Sequence, residues 1–227
     1  MFIKWNMEEL RKRHNVFKRE LIESVTDAGS HILDVGCGRG GDLQKWRGCN
    51  VAGINMCDPC EQSLAEAKRR AKNMKIRVNF YHGDIHATPH RKFDVICFNF
   101  SLHYIFETKE LFTSTIKEIK ARAKKNTILC GIIPDSHRIT MRVPINLEDG
   151  SFFVLKKPGD GGFGENCYVH LADTLYYENG AIKEPIAYKD LLITHLEDAG
   201  FELKTWEPLT GSPISELYTK FLFTYTR

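Results

Sequence analysis

The stretch LDVGCGRGGDLQKW, Leu33 to Trp46, decides the fold. An apolar run from His31 to Val35 predicts a strand, with an acid, Asp34, near its end. Glycines follow at positions 36, 38, 40 and 41, and a helix-compatible segment opens at Asp42. Glycine permits a tight turn and leaves bare backbone for a ligand to approach, while a helix start offers unpaired N–H groups. The pattern predicts a nucleotide-like cofactor pocket at the carboxyl end of a strand.

Working outward, Met7 to Val25 carries apolar residues at 10, 17, 21, 22 and 25 and predicts an amphipathic helix. A short helix is expected at Leu43 to Trp46, a strand at Val51 to Met56, and a helix from Pro59 to Lys72 with Pro59 in its first turn. Strands are expected at Arg77 to His82, Phe93 to Phe100 and Thr127 to Ile133, with a helix from Glu107 to Lys124 before the last. Leu191 to Ala199 reads as a helix with Gly200 at its C-cap, and Phe201 to Trp206 and Leu217 to Tyr225 as a closing strand pair. This alternation predicts an α/β fold with a parallel sheet covered on both faces. The stretch from Asp135 to Tyr188 breaks the rhythm. It is rich in glycine and aromatics (Gly159, Gly161, Gly162, Phe163, Gly164, Tyr168, Tyr176, Tyr177) and predicts an insertion with short strands, placed to recognise substrate.

The 227 residues suit one α/β domain with an insertion. Against 29 acidic side chains stand 32 basic ones, a net charge of +3 that permits a polyanionic partner without demanding one. Seven scattered cysteines argue against a disulfide framework and for a reducing compartment. The N-terminus interleaves charge with apolar residues, unlike a signal peptide, and no run approaches the roughly 18 apolar residues that span a bilayer. An intracellular protein is expected.

Gly36, Gly38 and Gly41 satisfy G-x-G-x-x-G, a weak signal alone. A nicotinamide site also wants an acid at the end of the second strand. That position is Asn55 here, with Asp58 three residues later. Asp34 is more telling, because a cofactor bearing a cation at the turn gains from a carboxylate there, whereas a pyrophosphate does not. The alternative is that Asp34 caps amides of its own loop. Cys57 and Cys60 lack a second pair at zinc spacing, and Gly83 and Pro89 break any helix through His82, His86 and His90, so no metal site is expected. No nucleophile elbow and no Walker lysine is present. The basic runs from Lys68 to Arg77 and Lys117 to Lys125 read as solvated helix faces. Only Arg39 and Lys45 are placed to meet a ligand phosphate.

LDVGCGRGGDLQKW resembles the first motif of the mRNA cap (guanine-N7) methyltransferases, LDLGCGKGGDLxKW, in which the GGDLxKW extension is far more specific than the glycine turn. FNFSLHYIFET, Phe98 to Thr108, is similar to the family's QFxxHYxFE segment, and NVFKRELI, Asn15 to Ile22, to its NWxKxxLI helix. Weaker matches are PDS at Pro134 to Ser136, FGENCY at Phe163 to Tyr168 and EPIAY at Glu184 to Tyr188. The resemblance implies a single class I AdoMet-dependent methyltransferase domain over residues 1–227, with a Rossmann-like sheet and an antiparallel closing strand. Its parts would be an N-terminal helix (7–25), a core (31–134 and 188–227) and a cap-binding insertion at about 135–187.

The resemblance further implies that Lys18, Gly36, Gly38, Asp84, Asn99 and Tyr104 surround S-adenosylmethionine (AdoMet), with Asp34 near its amino group. Asn55 stands where the family has an aspartate for the ribose; an amide loses charge-assisted strength there, and Asp58 is a candidate to compensate. For the cap, Arg39 and Lys45 match phosphate-contacting positions, and His103, Tyr104 and Glu184 guanine-contacting ones. The family's late tyrosine aligns best with Phe221, with Tyr218 nearby. His14 stands where an asparagine is common. The blander readings are core packing for the aromatics and a structural role for His103.

The implied chemistry needs no general base, since guanine N7 carries a free lone pair. The chain begins almost at its first helix, without the long basic tail of cellular members. A viral-type domain cut from a multifunctional capping enzyme is therefore expected, acting in a host cytoplasm on the capped mRNA 5′ end. Other capping domains in the same polypeptide are expected, and a stimulatory subunit is left open. Rival readings are a class I methyltransferase for another acceptor, a non-catalytic capped-RNA-binding module and, last, an NAD-dependent oxidoreductase.

Overall fold

The strand-forming runs pair into one seven-stranded sheet built from β1 (His31–Val35), β2 (Gly53–Asp58), β3 (Arg77–His82), β4 (Phe93–Asn99), β5 (Ala123–Pro134), β10 (Phe201–Pro208) and β11 (Tyr218–Tyr225). The structure, a computed structural model, describes residues 7–142, 144–146, 150–155, 162–170 and 180–227. The order is β10-β11-β5-β4-β1-β2-β3. Strands β1 to β5 run parallel, and β11 lies antiparallel between β10 and β5, as the resemblance implies. All six residues of β2 are buried, which is why the central strands read as continuous apolar runs.

Alternation along each strand separates two cores. On one face α1 (Met7–Val25) and α2 (Leu43–Gly48) lay Leu10, Leu21, Ile22 and Trp46 against Ile32, Met56, Val95 and Cys130. On the other, α4 (Lys109–Arg122) and α6 (Lys189–Ala199) meet Leu33, Ile96, Leu129 and Phe223. The helix α3 (Glu61–Ala71) buries Leu64 and Ala67. Gly200 closes α6 with φ 106°, the left-handed cap expected of it.

The insertion opens with α5 (Ser136–Arg142) and carries an antiparallel sheet of β6 (Ile145–Asn146), β7 (Phe152–Leu155), β8 (Asn166–His170) and β9 (Ile182–Pro185). Gly159, Gly161, Tyr176 and Tyr177 lie outside the described residues. Two anchors hold this sheet to the core: the Gly164 N–H donates to the Phe106 carbonyl at 2.9 Å, and the Ser136 N–H to the Ala187 carbonyl at 3.1 Å.

Three expectations are corrected. Pro59 precedes the helix cap at Cys60, because the Asp58 carboxylate accepts the Cys60 N–H at 2.9 Å and turns the chain first. The expected helix from Glu107 to Lys124 is α4, shorter at both ends: it starts at Lys109 because a 3₁₀ segment, Leu102–Glu107, ends just before it and the Thr108 hydroxyl caps it by accepting the Leu111 N–H at 3.1 Å. Strand β5 starts at Ala123 rather than Thr127, and its first residues bend around Asn126 at φ 68°.

Candidate cofactor and substrate site

The chain reverses direction across the sheet between β1 and β4, which opens a crevice at their carboxyl ends. The glycine turn lines it. Gly36 has φ 72°, and a Cβ added there would lie 2.3 Å from Ser101 Cβ. Ser101 is held in place by donating its hydroxyl to the Val35 carbonyl at 2.6 Å. Gly36→Ala is therefore expected to cost about 1–3 kcal/mol in backbone strain and to displace Ser101. An unchanged urea midpoint would contradict it. Over Gly38, φ 51°, an added Cβ meets nothing within 4 Å, so that backbone faces open space.

Beneath the turn lies a buried polar network centred on Asp42. Its Oδ1 accepts from Lys45 Nζ at 2.7 Å and Lys18 Nζ at 2.9 Å, and its Oδ2 from Asn99 Nδ2 at 3.0 Å. One carboxylate thus ties α1, α2 and the end of β4 together. Burial raises Asp42's pKa, but the two ammoniums outweigh it and hold the carboxyl below its ordinary value. Asp34 takes the Trp46 indole N–H on Oδ2 at 3.0 Å instead of capping its own loop. Burial, reinforced by the Asp42 charge, pushes the Asp34 pKa up to about 7. With Nδ2 donated to Asp42, Asn99 is left with a buried Oδ1 that has no partner. Open space over the Gly38 backbone, an orphaned acceptor at Asn99 and the buried acid Asp34 together fit an AdoMet-type ligand, with its cationic end toward the acceptors.

The structure places Asn55 in mid-strand, its Oδ1 engaged by Asn79 Nδ2 and the Tyr81 hydroxyl, both at 3.1 Å. The residue at the strand's end is Asp58, three positions and ~10 Å further along. Its Oδ2 accepts the Gly38 N–H at 2.7 Å, so the acid facing the glycine turn is Asp58. Asp84 is exposed beyond β3, where its Oδ1 accepts the His86 N–H at 2.9 Å and contacts His86 Nδ1 at 3.0 Å. His82 reaches the Pro59 carbonyl and His90 lies near Glu118, so these histidines take separate partners.

Directly after Ser101, which packs on Gly36, the 3₁₀ segment carries His103 and Tyr104, their rings 4.2 Å apart. His103 is 2 % exposed, and neither ring nitrogen has a hydrogen-bond partner. Burial pushes its pKa down to about 3, which leaves the ring neutral. The insertion supplies the remaining group: Glu184 of β9 brings Oε2 to 3.5 Å from His103 Nε2. A buried histidine whose ring nitrogens make no hydrogen bond is costly unless a ligand completes it.

Two expected phosphate contacts part company. Arg39 is exposed on the turn with no ion pair among the described residues. Lys45 is buried, its Nζ hydrogen-bonded to Asp42, to the Gly41 carbonyl at 2.9 Å and to Asn15 Oδ1 at 3.0 Å. With three donors and three acceptors it is internal glue, which corrects its reading as a phosphate ligand. Phe221 is corrected too. It is fully buried over Gly131, where an added Cβ would lie 2.9 Å from its ring, and it belongs to the core with α4 and α6. No base can stack on it. Phe221→Leu is expected to leave the KM for a cap dinucleotide within about twofold while lowering the denaturation midpoint; a tenfold rise in KM would contradict that placement. Tyr218 is also buried, against His14 and Phe100. Asp42, Trp46 and Ser101 received no role from the sequence, although the first two stand inside its most telling stretch.

A family profile described as "mRNA (guanine-N(7))-methyltransferase domain" matches residues 4–153. The mRNA cap guanine-N(7) methyltransferase of Saccharomyces cerevisiae is 30% identical over 205 residues, 84% of this chain and 45% of that protein. Its Schizosaccharomyces pombe counterpart is 29% identical over 174 residues, 70% of this chain and 46% of that protein. The chain thus spans about half the length of the curated relatives it matches. Among solved structures, an S-adenosylmethionine-dependent methyltransferase from Clostridium acetobutylicum superposes with a TM-score of 0.66 at 12% identity, over 96% of this chain and 92% of that one. That likeness speaks for the fold alone, a class I methyltransferase Rossmann-like sheet. The crevice between glycine turn and His103 is thus lined largely by the segment that the profile covers, and the chain belongs to the mRNA (guanine-N(7))-methyltransferase domain family.

Proposed function

We propose that this domain transfers a methyl group from AdoMet to N7 of the guanine cap of mRNA. The observation that carries the reading is the buried His103–Glu184 pair, with no hydrogen bond to either His103 nitrogen, two residues after the Ser101 that packs on Gly36. AdoMet, when bound, supplies an electrophilic methyl on a sulfonium. Asp34, Asn99, the Gly36–Gly38 backbone, Asp58 and, by resemblance, Asp84 and Tyr104 are its proposed ligands, with Lys18 as the clamp that closes α1 on Asp42.

Catalysis in this reading is positional. The acceptor nitrogen has a lone pair, so no residue takes a proton, and orienting two reactants can be worth about 7–11 kcal/mol. Glu184 accepts from the guanine N1–H and N2–H edge, a contact that strengthens as the ring becomes cationic. Neutral His103 offers one donor and one acceptor to the same base. Tyr104 is the remaining candidate to stack on it, for about 1–3 kcal/mol, and Arg39 the remaining one for the cap phosphates. The finer expectations, a viral-type domain of a larger capping polypeptide acting in the cytoplasm, with residues 135–187 as its cap-binding insertion, belong to this proposal and rest on the sequence resemblance.

Glu184→Gln tests the reading. A hydrogen bond to a charged group is worth about 1.5–3 kcal/mol, so kcat/KM for GpppA is expected to fall ~10- to 100-fold with AdoMet affinity unchanged. Unaltered turnover of GpppA would move the acceptor elsewhere.

A further inference from the structure

An open pocket of about 330 Å³ lies between α1 and α2, outside the crevice, lined by Lys12, Asn15, Val16, Arg19 and Lys45. The four α1 residues recur at i, i+3, i+4 and i+7 and form one stripe on the helix. Lys45 is its floor. By donating to Asn15 Oδ1 it fixes that amide, and Asn15's nitrogen has no hydrogen bond among the described residues. The cations on the walls are only lightly engaged. Lys12 pairs with Glu8 at 2.7 Å and Arg19 with Glu23 at 3.7 Å, and all four side chains are more than half exposed. Exposed pairs of this kind are worth about 0–1 kcal/mol, so an incoming anion displaces them readily. Donors predominate and no acceptor side chain is left open. The pocket adjoins the crevice through one carboxylate, since Asp42 holds both Lys45 at its floor and Asn99 in the crevice.

We propose that this pocket binds a backbone phosphate of the transcript, downstream of the cap. The inference rests on the proposed function and adds to it: the cap guanine and AdoMet occupy the crevice, and the RNA strand leaves it along α1. Val16, half exposed among the cations, offers the sugar an apolar contact.

The test compares wild type with the Lys12→Gln/Arg19→Gln double variant on two substrates, GpppA and a capped ten-nucleotide RNA. KM for the capped RNA is expected to rise about tenfold. The slope of log KM against log salt should fall by roughly 0.7, the value for one single-strand phosphate contact. KM for GpppA, kcat and the melting temperature should stay within error. Equal KM rises on both substrates would assign the pocket to the cap triphosphate and overturn the proposal, as would no change on either. Fluorescence anisotropy with uncapped RNA of the same length reads the pocket without methyl transfer. A wild type that methylates nothing but binds this RNA more tightly than the variant contradicts the proposed function alone. RNA affinity that the double substitution leaves intact contradicts the pocket.

Discussion

Replacing Asp42 with alanine is expected to abolish measurable methyl transfer and to destabilise the fold by about 3–5 kcal/mol, the usual cost of stranding a buried charge. Two ammoniums, Lys18 and Lys45, lie on the same carboxylate oxygen at 2.9 and 2.7 Å, and Lys45 is almost wholly buried. Removing the carboxylate leaves the two in mutual repulsion, with only Asp34, whose ionisation burial opposes, as a nearby acid. It also frees the Asn99 amide to rotate, so the acceptor that faces the crevice is lost together with the clamp on α1. Asp42→Asn keeps the shape and one acceptor, and should recover part of the stability but little activity. For a domain of this size the alanine change lowers the melting temperature by roughly 6–20 °C. A shift under 2 °C with normal turnover would show that the network is ornamental.

AdoMet binding should tighten roughly 50-fold between pH 5 and 7 if Asp34 receives the cofactor's cationic end. In the unliganded protein burial and Asp42 push the Asp34 pKa up to about 7, so the folded state holds a proton that the unfolded chain releases near its ordinary value of 3.8. The contribution to folding stability is present below about pH 4 and is lost as pH rises through 7. Ligand binding has the opposite preference, because a cation needs the carboxylate. Asp42 opposes ionisation of Asp34, while Lys18, Lys45 and the Trp46 indole favour it. Calorimetry at pH 6 in two buffers of different ionisation enthalpy should record close to one proton released per AdoMet bound. Asp34→Asn should flatten the profile and weaken binding at pH 7. A constant Kd from pH 5 to 7 in the wild type would remove Asp34 from the cofactor site.

Much of the fold was legible because parallel strands buried on both faces leave apolar runs, as in GINMCD of β2, and because glycines marked the turn after β1. Features set by distant partners were not. The end of β2 depends on pairing with β3 through to Asp58 and His82, which no local pattern around Asn55 reveals. Phe221 looked like a base-stacking aromatic. Its fate was decided by an antiparallel register that sets it opposite Gly131, a residue far away in the chain. Lys45 looked like a surface cation beside a phosphate turn, yet its position three residues after Asp42 on a short helix folds it back onto that carboxylate. His103 and Glu184 were named from separate motifs. Only the docking of β8 and β9 onto the 3₁₀ segment, through Gly164 and Phe106, brings them together.

The proposed methylation of a guanine cap at N7 is read out by incubating the protein with methyl-labelled AdoMet and GpppA, then digesting the product and locating the label. Label on guanine N7, lost or sharply reduced in Glu184→Gln, is the predicted result. Label on another atom, or none while AdoMet binds normally, would rule out N7 of the cap as the acceptor.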